Sequence, residues 1–276
     1  FDYFWGFQGG EVSQWHPPLY ENTTPIETPT TPGWHLSEAM ADKAIEWIGQ
    51  QKAAAPDKPF FMYWAPGAGH APHHVAPEWA DRYKGKFDNG WDEQRRLTFE
   101  NQKRLGIIPA DTKLTPRPDS IPAWEACSPD EKRLYARMQE VYAGFVEHVD
   151  VQIGRLLDSL ETMGVRDNTL VMYCVGDNGP SAEGTITGTL NSFKTMHGFL
   201  DDVPKHIDEI GGPEHDNHFP VAWAWAGSSP LQWVKQVASH FGGTRNPLVI
   251  SWPGHIKNPG TMRSQFHHVV DIVPTI

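Results

Sequence analysis

Thr169-Leu170-Val171-Met172-Tyr173-Cys174-Val175 runs directly into Gly176-Asp177-Asn178-Gly179. The first part is short, apolar and bounded by turn residues, which predicts a buried strand with Cys174 in the core. Upstream, Ser128-Pro129-Asp130-Glu131 combines a capping hydroxyl, a proline in the first turn and a glutamate three residues on, the pattern of a helix start. Leu134, Met138, Val141, Tyr142, Phe145, Val149, Leu156 and Leu160 then recur three or four apart. A helix should therefore run to about Met163 and stop at Gly164. Downstream, Pro247-Leu248-Val249-Ile250-Ser251-Trp252 reads as another strand, and so does Pro59-Phe60-Phe61-Met62-Tyr63-Trp64. Two further helices are expected, one capped by Ser37 over residues 38–48 and one around 91–104. Residues 1–34 read as loops with one short strand, and 180–232 mainly as loop. Helices alternating with apolar strands predict an α/β layered fold, with a mostly parallel central sheet flanked by helices. In such sheets chemistry gathers at the carboxyl ends of the strands.

Composition narrows the function classes. The chain has 276 residues and a formal charge of −11, with no basic run or aromatic-basic stripe, so no nucleic-acid partner is expected. No apolar run approaches the roughly 18 residues that span a bilayer. An anionic substrate would need a local cluster of cations, because charges beyond about 10 Å are screened. The cysteines, Cys127 and Cys174, form neither a disulfide framework nor a zinc-ligand pattern. Phe1 carries no initiator methionine or signal peptide and the chain ends inside an apolar stretch, so it reads as a fragment.

Three clusters could carry chemistry. Asp177 and Asn178 offer a carboxylate and an amide carbonyl at a predicted strand end, hard donors that suit Ca2+ or Mg2+ rather than zinc. The same residues also make an ordinary turn, and two ligands do not complete a site. His70 sits in the Gly/Pro-rich turn Gly69-His70-Ala71-Pro72 after a predicted strand, where it could protonate a leaving group or hold an anion, or serve the loop alone. Adjacent His73 and His74, and the His215-Asp216-Asn217-His218 loop, are not read as metal clusters. Lys235 precedes His240-Phe241-Gly242-Gly243-Thr244-Arg245, where the glycines permit close backbone approach and the cations could hold a divalent anion.

Together, and in this order, these motifs resemble the type I arylsulfatases of the alkaline phosphatase superfamily. Phe60–Tyr63 leading to Gly69-His70-Ala71-Pro72 is similar to the family's active-site histidine loop. Leu170–Tyr173 leading to Gly176-Asp177-Asn178-Gly179 is similar to its second metal-ligand segment. Lys235 with Ser239–Arg245 is similar to the segment bringing its substrate-binding lysine, at a slightly unusual spacing from the glycine pair. Phe1–Phe7 and Asp271–Thr275 also have counterparts. The resemblance implies that Asp177 and Asn178 ligate Ca2+ (alternatively Mg2+), that His70 contacts the ester near its leaving oxygen, and that Lys235 binds a sulfate oxygen. It also implies a metal-activated formylglycine nucleophile, a small-molecule or carbohydrate sulfate ester as substrate, and a periplasmic or secreted location.

Several family features are missing. Cys127-Ser128-Pro129 lacks the arginine of the family's Cys-x-Pro-x-Arg signature, since Glu131 stands there, so Cys127 is not read as the nucleophile. The family's first aspartate pair, its nucleophile segment and its small C-terminal subdomain have no counterparts. Residues 1–276 are therefore expected to be the central part of a sulfatase catalytic domain, inactive alone, with apolar sheet edges exposed. Two alternatives stay open: a phosphonate monoester or phosphodiester hydrolase of the same superfamily, and a non-catalytic sulfatase-like binding protein.

Overall fold

The computed structural model describes residues 1–198 and 202–276. The chain opens with an antiparallel sheet of three very short strands, β1 (Trp5–Gly6), β2 (Leu19–Glu21) and β3 (Thr24–Ile26). Helix α1 (Leu36–Ala54) follows, then a single turn, α2 (Pro77–Ala80), and α3 (Gly90–Arg104). The long α4 (Pro129–Thr162) leads into β4 (Val171–Cys174). After it come α5 (Ser192–Met196), α6 (Val221–Gly227), the turn α7 (Phe241–Thr244), β5 (Leu248–Ser251) and a last turn, α8 (Ile272–Thr275).

Helix α4 begins and ends where its sequence dictates. The Ser128 hydroxyl accepts from the Glu131 N–H at 3.3 Å, and the Glu131 carboxylate accepts from the Ser128 N–H at 2.7 Å. Two otherwise orphaned donors are thus satisfied reciprocally. Gly164 ends the run with φ +70°, a conformation that glycine enters without steric cost. The buried face of α4, including Leu134, Met138, Val141 and Phe145, joins the main core. Trp91 of α3 meets Trp124 edge-on at 4.7 Å and Trp223 of α6 at 5.8 Å, while Trp223 Nε1 donates to the Tyr135 carbonyl at 2.8 Å. Buried Arg95 has carbonyls in place of a carboxylate. It donates to Trp225 O, to Leu231 O at 3.0 Å and to Thr115 Oγ1 at 2.6 Å, and burial pulls its guanidinium down to about 10. That fan of bonds ties α3 and α6 to the surface excursion at Thr115.

Some elements differ from the sequence expectation. His35, not Ser37, caps α1, its Nδ1 accepting from the Ser37 N–H at 3.2 Å; Ser37 is itself buried in the first turn. Helix α6 falls in a stretch read as loop, three of whose residues, 199–201, lie outside the described ones. Val-Ala-Trp-Ala-Trp-Ala is buried from Ala222 to Ala226 and so shows no amphipathic period to read. The α/β class holds, but the strands among the described residues pair antiparallel rather than parallel: β4 pairs with β5 in the register Val171↔Ser251 to Cys174↔Leu248. Cys174 is exposed, not core, because no further strand flanks this ribbon among the described residues, and Val249 of β5 stays 54% exposed. Pro59–Trp64 is extended but pairs with no strand among the described residues, leaving Phe61 54% and Tyr63 75% exposed. No described helix is long and apolar enough to cross a membrane.

Between α1, α4 and the 206–218 loop lies a layer of buried imidazoles. His35, His73, His74 and His218 are each at most 3% exposed. Burial, reinforced by the charge of His148, lowers His35 to about 3; burial lowers His74 and His218 to about 4, and pushes His73 well below its ordinary value. All four are uncharged in the folded protein at neutral pH. An unfolded chain binds protons at these sites below about pH 6.5, whereas the folded chain resists protonation down to about pH 4 at His74 and His218 and about 3 at His35, with His73 also held well below its ordinary value. Their contribution to stability is therefore complete above pH 6.5 and is lost as pH falls toward 4. Unfolding free energies from urea titrations between pH 6 and 4.5 should fall more steeply with decreasing pH than the ~1.4 kcal/mol per pH unit of a single histidine. A flat profile would contradict this account.

Candidate active site

The site begins where β4 ends. The Val175 N–H donates to Pro247 O at 3.0 Å, and Asn246 Nδ2 donates to Gly176 O at 3.2 Å, so the strand pair carries on into the Asp177-Asn178 turn. The turn is then seamed to the Gly242-Gly243 stretch by direct backbone contact. Gly179 N–H donates to Gly243 O at 3.0 Å, and a Cβ on Gly179 would lie 1.7 Å from the Gly242 carbonyl oxygen. A Cβ on Gly242 would in turn lie 2.0 Å from Trp233 O. The glycines are there because nothing larger fits.

One residue further on, Pro180 O accepts the Lys235 N–H at 2.9 Å. That bond sets Lys235 facing the histidine loop, and its Nζ reaches His70 Nε2 at 2.8 Å and Glu183 Oε2 at 3.0 Å. His70 is oriented from its other side: Nδ1 lies 2.8 Å from Ala71 O, and its backbone N–H donates to Gly67 O. With the Nδ1 proton directed at that carbonyl, Nε2 carries the lone pair that accepts from the Lys235 ammonium. Glu11 Oε2 stands 3.7 Å from Nδ1.

Glu183 is the residue the sequence did not signal, a single glutamate in a loop without a motif. It accepts from Lys235 and from Ser181 Oγ (2.8 Å) on one oxygen and from Gln236 Nε2 (2.8 Å) on the other. Partial burial raises its carboxyl, but the bonds from Lys235 and Ser181, with the lysine's charge, outweigh that and hold it below the usual carboxylate range. The positive charge of the Lys235 ammonium is thus locally balanced.

Asp177 and Asn178 present the expected donors. Asp177 is exposed, and Asn178 Nδ2 donates to Asp177 Oδ1 at 2.6 Å. Turning that amide over would aim its carbonyl oxygen at the same point as the carboxylate. The pair fits two ligands of a hard cation. Among the described residues no group of three histidine, cysteine or carboxylate side chains includes Asp177, so the pair does not by itself complete a site. The proposed cation trio of Lys235, His240 and Arg245 does not assemble: His240 Nδ1 pairs with Ser239 Oγ at 2.9 Å, and Arg245 lies over the Phe241 ring. Cys127 is half-buried in the turn before α4. Burial, with the charge of Glu131, pushes its thiol up, the opposite of what a nucleophile needs.

Comparison with known proteins gives the class. A family model described as Sulfatase matches residues 1–276. An uncharacterized sulfatase of Schizosaccharomyces pombe is 32% identical over 264 residues, which cover 94% of this chain and 46% of the yeast protein. An arylsulfatase of Klebsiella aerogenes is 29% identical over 243 residues, covering 88% and 50% respectively. One solved structure, Ps i-CgsB in complex with k-i-k-neocarrahexaose, aligns at 19% identity with a TM-score of 0.46, over 92% of this chain and 40% of that one. The chain belongs to the sulfatase family. It spans about half the length of these two curated relatives.

The glycine seam can be tested directly. Gly179→Ala should lower stability by about 1–3 kcal/mol through overpacking, whereas Gly10→Ala, with nothing within 4 Å of its Cβ, should stay within about 0.5 kcal/mol of the parent. Equal denaturant midpoints for the two variants would count against the seam.

Proposed function

We propose that these residues form part of the active site of a sulfuric ester hydrolase of the arylsulfatase type. The observation that carries the reading is the 2.8 Å contact between His70 Nε2 and Lys235 Nζ. One anionic group entering there can touch an ammonium and an imidazole at once. A sulfate oxygen would take over the Lys235 hydrogen bond, a charge-assisted contact. That releases His70 Nε2 to face the ester's leaving oxygen. Once Lys235 has turned to the sulfate, His70 would take up a proton from solvent at Nε2 and pass it to that oxygen as the S–O bond breaks, so the alcohol leaves neutral. Glu183 holds Lys235 in place before substrate arrives, and the Ala71 carbonyl keeps the imidazole from turning.

Asp177 and Asn178 would hold a Ca2+ ion (alternatively Mg2+), with further oxygen donors completing its shell. Bound there, the metal would activate a formylglycine nucleophile and stabilise charge on the sulfuryl oxygens. The substrate would be a small-molecule or carbohydrate sulfate ester.

The assay belongs on the longest natural form of the protein. His70→Asn should lower kcat about 10²–10⁴-fold for esters with poor leaving groups and much less for 4-nitrophenyl sulfate, which needs little protonation. Lys235→Ala should reduce kcat/KM about 10²-fold for both. An equal loss across leaving groups removes the acid role from His70, and hydrolysis of a phosphodiester or phosphonate ester in preference to the sulfate removes the sulfatase reading. Chelation should abolish turnover and Ca2+ restore it in the parent but not in Asp177→Ala. Full activity in the chelated protein would reject the metal role.

A further inference from the structure

A second constellation lies apart from the residues discussed above, in the loop that caps the histidine layer. His206 Nδ1 lies 2.9 Å from Glu209 Oε2, and His215 Nε2 lies 2.6 Å from the same oxygen. The two rings sit 4.8 Å apart at 65°, and the three ligand atoms all fall within 4.8 Å of one another. Among the described residues no other three His, Cys, Asp or Glu side chains converge in this way.

The loop is held firmly enough to keep this arrangement. Glu209 N–H donates to His206 O at 2.9 Å, a turn that places the two side chains on one side. Gly211 O receives Trp15 Nε1 and the Val75 N–H, both at 3.0 Å, and its own N–H donates to Asn217 Oδ1 at 3.0 Å. His215 O accepts from buried His74 Nε2 at 2.7 Å. Both flanks of the cluster are therefore anchored to the interior, while Glu209 itself is open to solvent.

Two imidazoles aimed at one carboxylate oxygen also make a self-sufficient hydrogen-bond cluster. The same convergence, however, is what a metal requires. If each ring moves its proton to the far nitrogen, two lone pairs and a carboxylate oxygen face one point, and bonds of about 2.0–2.2 Å from all three need only a small shift of an exposed glutamate. Nitrogen-rich donors select a zinc-class ion, in contrast to the all-oxygen pair at Asp177-Asn178. We propose that His206, Glu209 and His215 form a binding site for a first-row transition metal of the zinc class, with its fourth position open to water. The site is independent of the sulfatase reading.

The test is titration of the metal-stripped full chain with Co2+, followed by displacement with Zn2+. One equivalent of Co2+ should develop the visible d–d bands of a four-coordinate nitrogen/oxygen site, and Zn2+ but not excess Ca2+ should remove them. His206→Ala and Glu209→Gln should each weaken Zn2+ binding about 10–100-fold or more, with far-UV circular dichroism unchanged. His255→Ala, whose ring lies against the Pro253 carbonyl and stacks on Trp252, should bind like the parent. No saturable band at one equivalent, or equal Zn2+ affinity in the parent and both cluster variants, overturns the site. Such a result would leave the sulfate-ester assays untouched.

Discussion

His74 is fully buried and uncharged, so both of its ring nitrogens must find partners inside the protein, where an unpaired polar group costs about 1–3 kcal/mol. Nδ1 accepts from the Gln14 N–H at 3.2 Å and Nε2 donates to His215 O at 2.7 Å. Its own carbonyl lies 3.1 Å from His35 Nε2. One residue thereby fastens the N-terminal loops, the start of α1 and the 206–218 loop to the histidine segment. These partners are 60, 39 and 141 residues away in sequence. The loop containing His70 is irregular, with no strand ladder to hold it. Its place depends on this clasp and on the neighbouring His73 N–H to Asn217 O bond.

The chemistry of the site follows from that fixity. A lysine beside an imidazole would ordinarily be repelled once either gained further charge, yet here the ammonium is divided between His70 Nε2 and the Glu183 carboxylate. Glu183 can do this because Ser181 and Gln236 occupy its remaining acceptor positions. Before substrate arrives the pair is neutralised. On the proposed reading, an incoming sulfate competes with a carboxylate for the same ammonium, which favours a doubly bonded tetrahedral anion over a lone chloride or a distant charge.

Much of this was legible in the sequence, for identifiable reasons. The Ser128–Glu131 start and the Gly164 stop of α4 were readable because capping and φ > 0 are local properties of a few residues. Asp177, Asn178, His70 and Lys235 could be singled out because each borders a glycine-rich turn or matches a family motif. Glu183 could not, since its role exists only through Lys235, 52 residues away. Nor could the His206–Glu209–His215 convergence, because His215 sits in a loop whose shape is set by His74 and Trp15. Cys174 and Phe61 misled for the opposite reason. Their apolar strands promise burial, but burial needs a covering layer, and no strand sequence states whether one is present.

The missing covering layer changes how the Asp177-Asn178 turn is held. A two-stranded ribbon with its faces exposed is marginal by itself, and β4–β5 leaves Leu248, Val249 and Ile250 open to solvent. The ribbon alone therefore does not fix the positions of Asp177 and Asn178. The fixing contacts lie beyond it: Gly179 against Gly242, Pro180 O with the Lys235 N–H, and Asn246 reaching back to Gly176. The same few contacts place Lys235. The Asp177-Asn178 turn and Lys235 are thus positioned by one seam of backbone, so any movement of the ribbon carries both together and preserves their relation to each other.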